Sequence, residues 1–309
     1  MRAAFSDSLV RLAKADSKVL LLTGDHGYAL FDDFRRACPG QYINAGIAEQ
    51  NMVGMAAGLA RTGFRPFLYG LSAFVPVRVL EQIKLDVAHD KLPVVLLGDG
   101  AGFVYSHLGT SHQSTEDIAC TRAIPGLSVL SPADRHEMKS CMELAYEING
   151  PVYLRMGKSD RGDVHSEPLA ALQAGQLLQL RAGRSDLPAL VATGSMVRTA
   201  LDIAEKQLDV AVWSVPSIKP LDATTVATLA RNSRGVVVLE EHSVLGGLGA
   251  AIAEITSEMS PCRVLRIGVL DRFSAHCGSY AYLLREHGLD HDAVAARIDV
   301  FINNDERML

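Results

Sequence analysis

Short apolar runs that end in glycine and aspartate recur along the first half of the chain. Residues 19–23 (VLLLT) precede Gly24-Asp25, and residues 93–97 (PVVLL) precede Gly98-Asp99-Gly100. A continuous apolar run of this length is typical of a strand that is buried on both faces. Between the two runs, residues 79–88 (VLEQIKLDVA) have the periodicity of a helix. This alternation predicts parallel strands joined by helical crossovers.

The alternation is interrupted after Arg155 and then resumes. Residues 157–187 are rich in charged residues, glycine and turn formers, which indicates a connection between domains. Beyond it, strands are predicted at 189–194, 211–215 and 236–240, and helices at about 196–207 and after the glycines at 246–249. The fold class is therefore predicted to be α/β, with two consecutive open, mostly parallel-sheet domains. For 309 residues we expect a first domain at 1–165, a linker at 166–185 and a smaller second domain at 186–309.

The composition narrows the possible partners and the compartment. The chain has a formal net charge of −5 and no cluster of lysine or arginine, which argues against a nucleic-acid or membrane partner. Its 5 cysteines are scattered and odd in number, which is typical of reduced thiols. The N-terminus lacks the apolar core of a signal peptide, and no apolar run approaches the roughly 20 residues of a membrane span. We therefore expect a cytoplasmic protein.

One carboxylate, Glu49, lies within a run of small and apolar residues, INAGIAEQNM at 43–52. The run predicts a loop that enters a tightly packed helix, in which Gly54 and Gly58 allow a close neighbour. Burial raises the pKa of a carboxyl group, and a buried acid can pass a proton to a bound base. The alternative is that Glu49 stands beside solvent in the first turn and complements the helix dipole. The spacing alone leaves both interpretations open.

Five segments, taken in order, resemble the C-terminal half of a transketolase. They are NAGIAEQNM (44–52), GTSHQ (109–113), ATGS (192–195), SIKPLD (217–222) and EEH followed by GGLG (240–249). The resemblance runs over nearly the whole chain. It implies a pyrimidine-binding domain followed by a transketolase C-terminal domain. It also implies a transferase that uses thiamine diphosphate to move a two-carbon ketol unit from a ketose to an aldehyde.

The resemblance implies roles at the cofactor for four residues. In the family, the glutamate that matches Glu49 hydrogen-bonds the ring nitrogen of the cofactor's aminopyrimidine and so promotes formation of the nucleophilic ylid. Phe74 matches the aromatic residue against the aminopyrimidine face, although it could be a core phenylalanine. Asp25 matches an acid near the cofactor and the subunit interface, or it caps the next helix. We also expect Ile47, within the glutamate's motif, to contact the cofactor.

On the substrate side, His112 matches the histidine of the family's Gly-Pro-Thr-His-Gln motif, which lies near the substrate's reacting carbonyl. A histidine there can donate a hydrogen bond or move a proton near neutral pH, although a surface histidine is the alternative. We predict that His107 and Lys158 also bind substrate. The family positions that read a sugar phosphate and a sugar hydroxyl hold Ala29, Gly100, Lys158 and Leu108 here. The substrate is therefore predicted to differ from the standard pentose phosphates.

The chain lacks the diphosphate half of the family's site. Gly98-Asp99-Gly100 begins like the family's metal motif, but no asparagine occurs between Gly100 and Ile148. We therefore predict no metal site in this chain. A separate N-terminal subunit is expected to bind the diphosphate with Mg²⁺ or Ca²⁺, which would give an α2β2 assembly.

Two other functions compete with this one. The β subunit of a 2-oxo-acid dehydrogenase shares the domain pair and the motif around Glu49. A non-catalytic regulatory subunit would need no chemistry at Glu49. The segments GTSHQ and SIKPLD favour transketolase over the dehydrogenase.

Overall fold

The computed structural model describes residues 1–27, 29–158, 160–206 and 209–303. Its strands, in chain order, are β1 Val19–Thr23, β2 Tyr42–Asn44, β3 Arg65–Leu71, β4 Val95–Asp99, β5 Ser128–Leu130, β6 Val152–Met156, β7 Leu178–Arg181, β8 Ala189–Ala192, β9 Val212–Ser214, β10 Ser217–Lys219, β11 Val236–Ser243 and β12 Val264–Val269. Within the described residues they form one 7-stranded sheet, in the order β10-β5-β6-β4-β3-β1-β2, and one 5-stranded sheet, in the order β12-β11-β8-β9-β7.

Both sheets are mostly parallel, as the sequence predicts. Strands β1 to β6 pair in parallel, and β10 pairs antiparallel with β5. In the second sheet, only β7 runs antiparallel, against β9. Strand β7 lies within residues 166–185, the predicted linker. β1 and β4 are buried along their whole length because apolar side chains occupy both of their faces.

Helices cover the two sheets. They are α1 Arg2–Ala15, α2 Asp32–Ala37, α3 Glu49–Arg61, α4 Leu80–Gln82, α5 Asp117–Arg122, α6 Arg135–Glu147, α7 Met196–Lys206, α8 Ala223–Arg231, α9 Leu248–Met259, α10 Tyr280–Glu286 and α11 His291–Asn303. Local chemistry fixes several of their starts, and Asp134 and Asp222 accept backbone N–H groups at the starts of α6 and α8. No helix in the described part of the chain is long and apolar enough to cross a membrane.

Some predicted elements differ from the structure. The helix expected at 79–88 is α-helical only at Leu80–Gln82 and continues as a π-helix over Ile83–Ala88. Strand β11 continues beyond the predicted residue 240 to Ser243. The expected close neighbour at Gly54 and Gly58 is absent from the described chain, since a Cβ at either position would meet nothing within 4 Å. Residue 207 of the helix predicted at 196–207 lies outside the described residues.

A strand from the second half of the chain completes the first sheet. β10 belongs to the SIKPLD segment and lies against β5. At the end of β10, the Lys219 Nζ donates to the carbonyl oxygen of Arg122, at 2.8 Å, and to that of Ile124. These two carbonyls lie at the C-terminal end of α5, where a cation is favourable. The SIKPLD segment is therefore a joint between the two halves.

A buried polar network forms a second joint. Arg155, at the end of β6, donates from Nε to the Asp117 Oδ2 at 2.8 Å and from Nη2 to the Glu241 carbonyl at 2.8 Å. The carboxylate of Glu241 accepts the backbone N–H of Phe103 at 2.6 Å. Gly102 has φ +67°, and a Cβ there would come within 2.3 Å of the Glu241 Oε1. Only glycine therefore allows this approach between the two halves.

Candidate active site

Glu49 is the first residue of α3, and its side chain is buried. The residue is 4% exposed, although it lies in the first helical turn, where the interpretation as a dipole partner would place it beside solvent. Its Oε2 lies 3.1 Å from the Arg78 Nη1. Its Oε1 is buried and has no hydrogen-bond partner within the described chain. An unpartnered buried carboxylate oxygen is unfavourable, so this position is suited to a hydrogen-bond donor from outside the chain.

Arg78 links the glutamate to an aromatic ring. Its guanidinium lies 4.0 Å from the centroid of the Phe74 ring, within the range of a cation–π contact. The Arg78 side chain is 46% exposed, so one end touches the site while the rest faces solvent. Arg78 is a site residue that the sequence did not predict. The only signal was its position four residues after Phe74, and that becomes informative only once the turn at Val77–Val79 is known.

The Phe74 ring lies near Arg78 and two histidines. Its ring centroid is 5.3 Å from that of His112, at an interplanar angle of 66°, and 6.2 Å from that of His26. Phe74 is half-buried, whereas the core phenylalanines are fully buried. One face of this ring is covered by the guanidinium of Arg78.

His112 ends the turn at Thr110–His112 and is half-exposed. Its Nδ1 is 3.0 Å from the Ser111 hydroxyl oxygen. That contact engages one ring nitrogen and leaves Nε2 available to a ligand. The structure therefore brings Glu49, Phe74 and His112 together, although they come from three separate segments.

The loop after β1 borders the same group. Asp25 has φ +61° and receives a long hydrogen bond, at 3.5 Å, from the Asn44 Nδ2 at the end of β2. Ile47, two residues before the glutamate, is 77% exposed. The Nδ1 of His26 is buried without a partner in the described chain. His26 was not predicted from the sequence as a site residue. Its position directly after Gly24-Asp25, at the end of β1, was the signal that could have indicated it.

Two predicted substrate residues lie outside this group of contacts. The Nζ of Lys158 is 3.1 Å from the Asp160 Oδ2 and 5.4 Å from the centroid of the Tyr280 ring, in the second half of the chain. His107 is exposed on the turn at Ser106–Leu108. Their predicted roles rest on the sequence alone.

Asp99 at the end of β4 is engaged by the chain's own side chains. It is 2% exposed and accepts from the Tyr69 hydroxyl at 2.6 Å and the Arg2 Nη2 at 2.7 Å. No group of three or more His, Cys, Asp or Glu residues among those described is arranged to hold a metal ion. The carboxylate of the Gly98-Asp99-Gly100 loop thus serves the packing of α1 on the sheet.

Comparison with known proteins identifies the family. The sequence profile of the transketolase pyrimidine binding domain matches residues 1–162, and that of the transketolase C-terminal domain matches residues 175–294. An apulose-4-phosphate transketolase subunit of Phocaeicola vulgatus is 34% identical over 298 residues, which cover 95% of this chain and 94% of that protein. A 6-deoxy-6-sulfo-D-fructose transketolase subunit of a Clostridium species is 34% identical over 294 residues, covering 94% and 90% of the two chains.

A solved structure agrees with these sequence matches. A split-gene transketolase, described as an inactive β4 tetramer, superposes with a TM-score of 0.87 at 34% identity, covering 98% of this chain and 97% of its own. Two domain profiles, relatives of nearly equal length and a matching fold point in one direction. The chain belongs to the transketolase family.

Proposed function

We propose that this chain is the β-type subunit of a thiamine-diphosphate-dependent transketolase, which transfers a two-carbon ketol unit from a ketose to an aldehyde. The observation that carries the proposal is the buried, unpartnered Oε1 of Glu49, a residue that Arg78 links to the Phe74 ring. The 2-oxo-acid dehydrogenase is not favoured, since the relatives described above are transketolase subunits. Residues 1–165 would form the pyrimidine-binding domain and residues 186–309 the C-terminal domain.

The residues present fit the cofactor's aminopyrimidine. Glu49 offers a buried oxygen that lacks a hydrogen-bond partner in the described chain, and Phe74 offers an aromatic ring that Arg78 links to the glutamate. Asp25 and Ile47, on the adjoining loops, complete the proposed cofactor contacts. Thiamine diphosphate, when bound, supplies the carbanion chemistry by which a carbon–carbon bond is broken and remade.

Each residue of the proposed site then has a defined task. Glu49 holds and shares a proton at Oε1, in a position that water does not reach. Phe74 orients the aminopyrimidine ring, and the guanidinium of Arg78 pairs with the Oε2 of Glu49. The Nε2 of His112 donates a hydrogen bond to, or takes a proton from, a substrate oxygen. His107 and Lys158 remain proposed substrate contacts.

A second chain is proposed to close this site. Around α3, which begins at Glu49, the described surface exposes apolar or small residues: Ile47 is 77% exposed, Leu85 is 53% exposed, and Gly54 and Gly58 face open space. Exposed apolar surface next to a buried acid supports a macromolecular partner. The family's diphosphate half would come from that partner, with Mg²⁺ or Ca²⁺ held mainly there, in an α2β2 assembly. That the related split-gene structure is an inactive β4 tetramer supports this division of labour.

The substrate is proposed to be a ketose other than the standard pentose phosphates. The relatives are named for apulose 4-phosphate and 6-deoxy-6-sulfo-D-fructose. In this chain Leu108, 47% exposed, occupies the position at which the family reads a sugar hydroxyl. A leucine cannot accept a hydrogen bond, so recognition of that hydroxyl is lost.

The test is reconstitution. The chain is co-expressed with its candidate partner subunit, purified as a complex, and assayed with thiamine diphosphate and Mg²⁺. The donors are apulose 4-phosphate, 6-deoxy-6-sulfofructose and xylulose 5-phosphate, and the acceptors are glyceraldehyde 3-phosphate and ribose 5-phosphate. We expect ketol transfer by the complex and none by the chain alone. Decarboxylation of a 2-oxo acid without ketol transfer would refute the function, and a highest kcat/KM on xylulose 5-phosphate would refute the substrate assignment.

A further inference from the structure

The loop that carries His112 rests on the second half of the chain at both of its ends. At one end, the Ser274 hydroxyl donates to the Gln113 Oε1 at 2.8 Å. At the other end, a Cβ on Gly109 would come within 3.0 Å of the Cys277 Sγ, so these two residues are in close contact. A single short stretch, residues 274–277 between β12 and α10, therefore touches both ends of the loop.

The loop between these ends is a tight turn. Gly109 has φ +80°, and its carbonyl oxygen accepts the backbone N–H of His112 at 3.0 Å. The N–H of Gln113 is bonded in turn to the Thr110 carbonyl at 3.3 Å. Because the backbone is closed by its own hydrogen bonds, a displacement of either end carries the His112 ring with it.

Ser274 is itself held from behind. Its Oγ is 2.9 Å from the Nε2 of His287, and the His287 ring stacks on Phe103 with centroids 4.8 Å apart. Burial lowers the pKa of His287, which keeps the ring neutral near pH 7. A neutral ring with its proton on Nε2 donates to Ser274, which leaves the serine proton for Gln113.

A cavity lies beside these hydrogen bonds. It has a volume of about 140 Å³ and is lined by residues of both halves, among them Thr110, Gln113, Ser274 and His287. The hydrogen bond of Ser274 to Gln113 thus lies at the border of this cavity, where the two halves meet.

We propose that Ser274 is a positioning residue for His112 and acts through Gln113, so that the C-terminal domain sets the geometry on the substrate side of the site. The inference rests on the proposed function of His112. It gives the C-terminal domain a part in the reaction although Glu49 and Phe74 both belong to the first half of the chain.

The test uses the reconstituted complex with the donor on which it is most active. Ser274→Ala should lower kcat/KM about tenfold, since a misplacement of about 1 Å can cost up to about 100-fold. Its affinity for thiamine diphosphate should change little, because the contacts of Arg78 with Glu49 and Phe74 do not involve the displaced loop. Ser274→Thr retains the hydroxyl and should recover most of the activity. Added to His112→Ala, Ser274→Ala should cause no further loss.

Ser279→Ala is the matched control. It removes the Oγ that accepts the Tyr282 N–H at 3.2 Å at the start of α10, so it perturbs the same region without touching the loop. An equal loss of activity in Ser274→Ala and Ser279→Ala, in step with thermal stability, would overturn the inference. So would wild-type kcat/KM in Ser274→Ala when His112→Ala is impaired. Full activity of His112→Ala would instead refute the proposed role of His112.

Discussion

Replacing Glu49 by glutamine tests the centre of the proposed site. The substitution keeps the shape of the side chain and its place at the start of α3, but it removes the group that can share a proton. Proton transfer by a positioned side chain contributes about 10²–10⁴-fold to a rate. We therefore expect kcat of the reconstituted enzyme to fall by about that factor, which corresponds to about 3–5 kcal/mol in activation free energy.

The effect on stability should be much smaller. Glutamine loses the ion pair with Arg78, whose side chain is 46% exposed. A pair with one partner this exposed contributes about 1 kcal/mol at most. The Oε1 atom has no partner in the described chain, so its replacement breaks no further hydrogen bond. A large loss of rate with a change of about 1 kcal/mol or less in unfolding free energy would separate chemistry from folding.

The assay measures kcat, affinity for thiamine diphosphate and chemical unfolding on the same preparations. Glu205→Gln is the matched control, because Glu205 also pairs with an arginine, Arg198, at 3.1 Å, but on an exposed helix surface. It should leave activity unchanged and unfolding free energy within about 0.5 kcal/mol. If Glu49→Gln retained most of the wild-type kcat, the catalytic role would be refuted and a regulatory subunit would be the better description.

Three further predictions follow from the geometry. Phe74→Leu keeps an apolar side chain but loses the aromatic face, so thiamine diphosphate titration should show up to about tenfold weaker binding, and unchanged binding would contradict the stacking role. Burial lowers the pKa of His242 from 6.5 to about 4, and acid therefore protonates the unfolded chain first. The contribution of His242 to stability is therefore lost as the pH falls below about 6.5. Relative to the wild type, His242→Gln should make the change in unfolding free energy from pH 7 to pH 5 about 2 kcal/mol more favourable, and an unaltered pH dependence would exclude a role for His242. Gly102→Ala places a methyl group 2.3 Å from the Glu241 Oε1 and should lower the unfolding free energy by more than about 2 kcal/mol, whereas Gly126→Ala, with φ +74° but nothing within 4 Å, should show only the smaller backbone strain; equal losses would argue against the clash.

The parallel sheets could be predicted from sequence because their strands are continuous apolar runs. β1 and β4 are buried on both faces, which is what the runs at 19–23 and 93–97 require. The loop that enters a helix in this region was also predicted, and α3 begins at Glu49. The burial of Glu49 was not predicted, because a carboxylate in a first turn is as compatible with solvent as with a pocket.

The remaining features depend on contacts between distant segments. The pairing of β10 with β5 involves a strand of 3 residues followed by proline, which carries no strand pattern of its own. The approach of Arg78 to Phe74 and Glu49 requires the chain to turn at Val77–Val79. The contact of Phe74 with His112 joins two loops that no local periodicity relates. Family resemblance named Phe74 and His112, but only the fold shows that they are neighbours.

Strand β10 comes from the second half of the chain and completes the first sheet, so it determines where this polypeptide could be divided. A break in the stretch at 166–185 would give an N-terminal fragment with an unpaired β5 edge, which is a template for aggregation. The same fragment would retain the buried Arg155 and Asp117 without the Glu241 carbonyl that Arg155 also contacts. A gene encoding the N-terminal half alone would thus specify an aggregation-prone product rather than a working part.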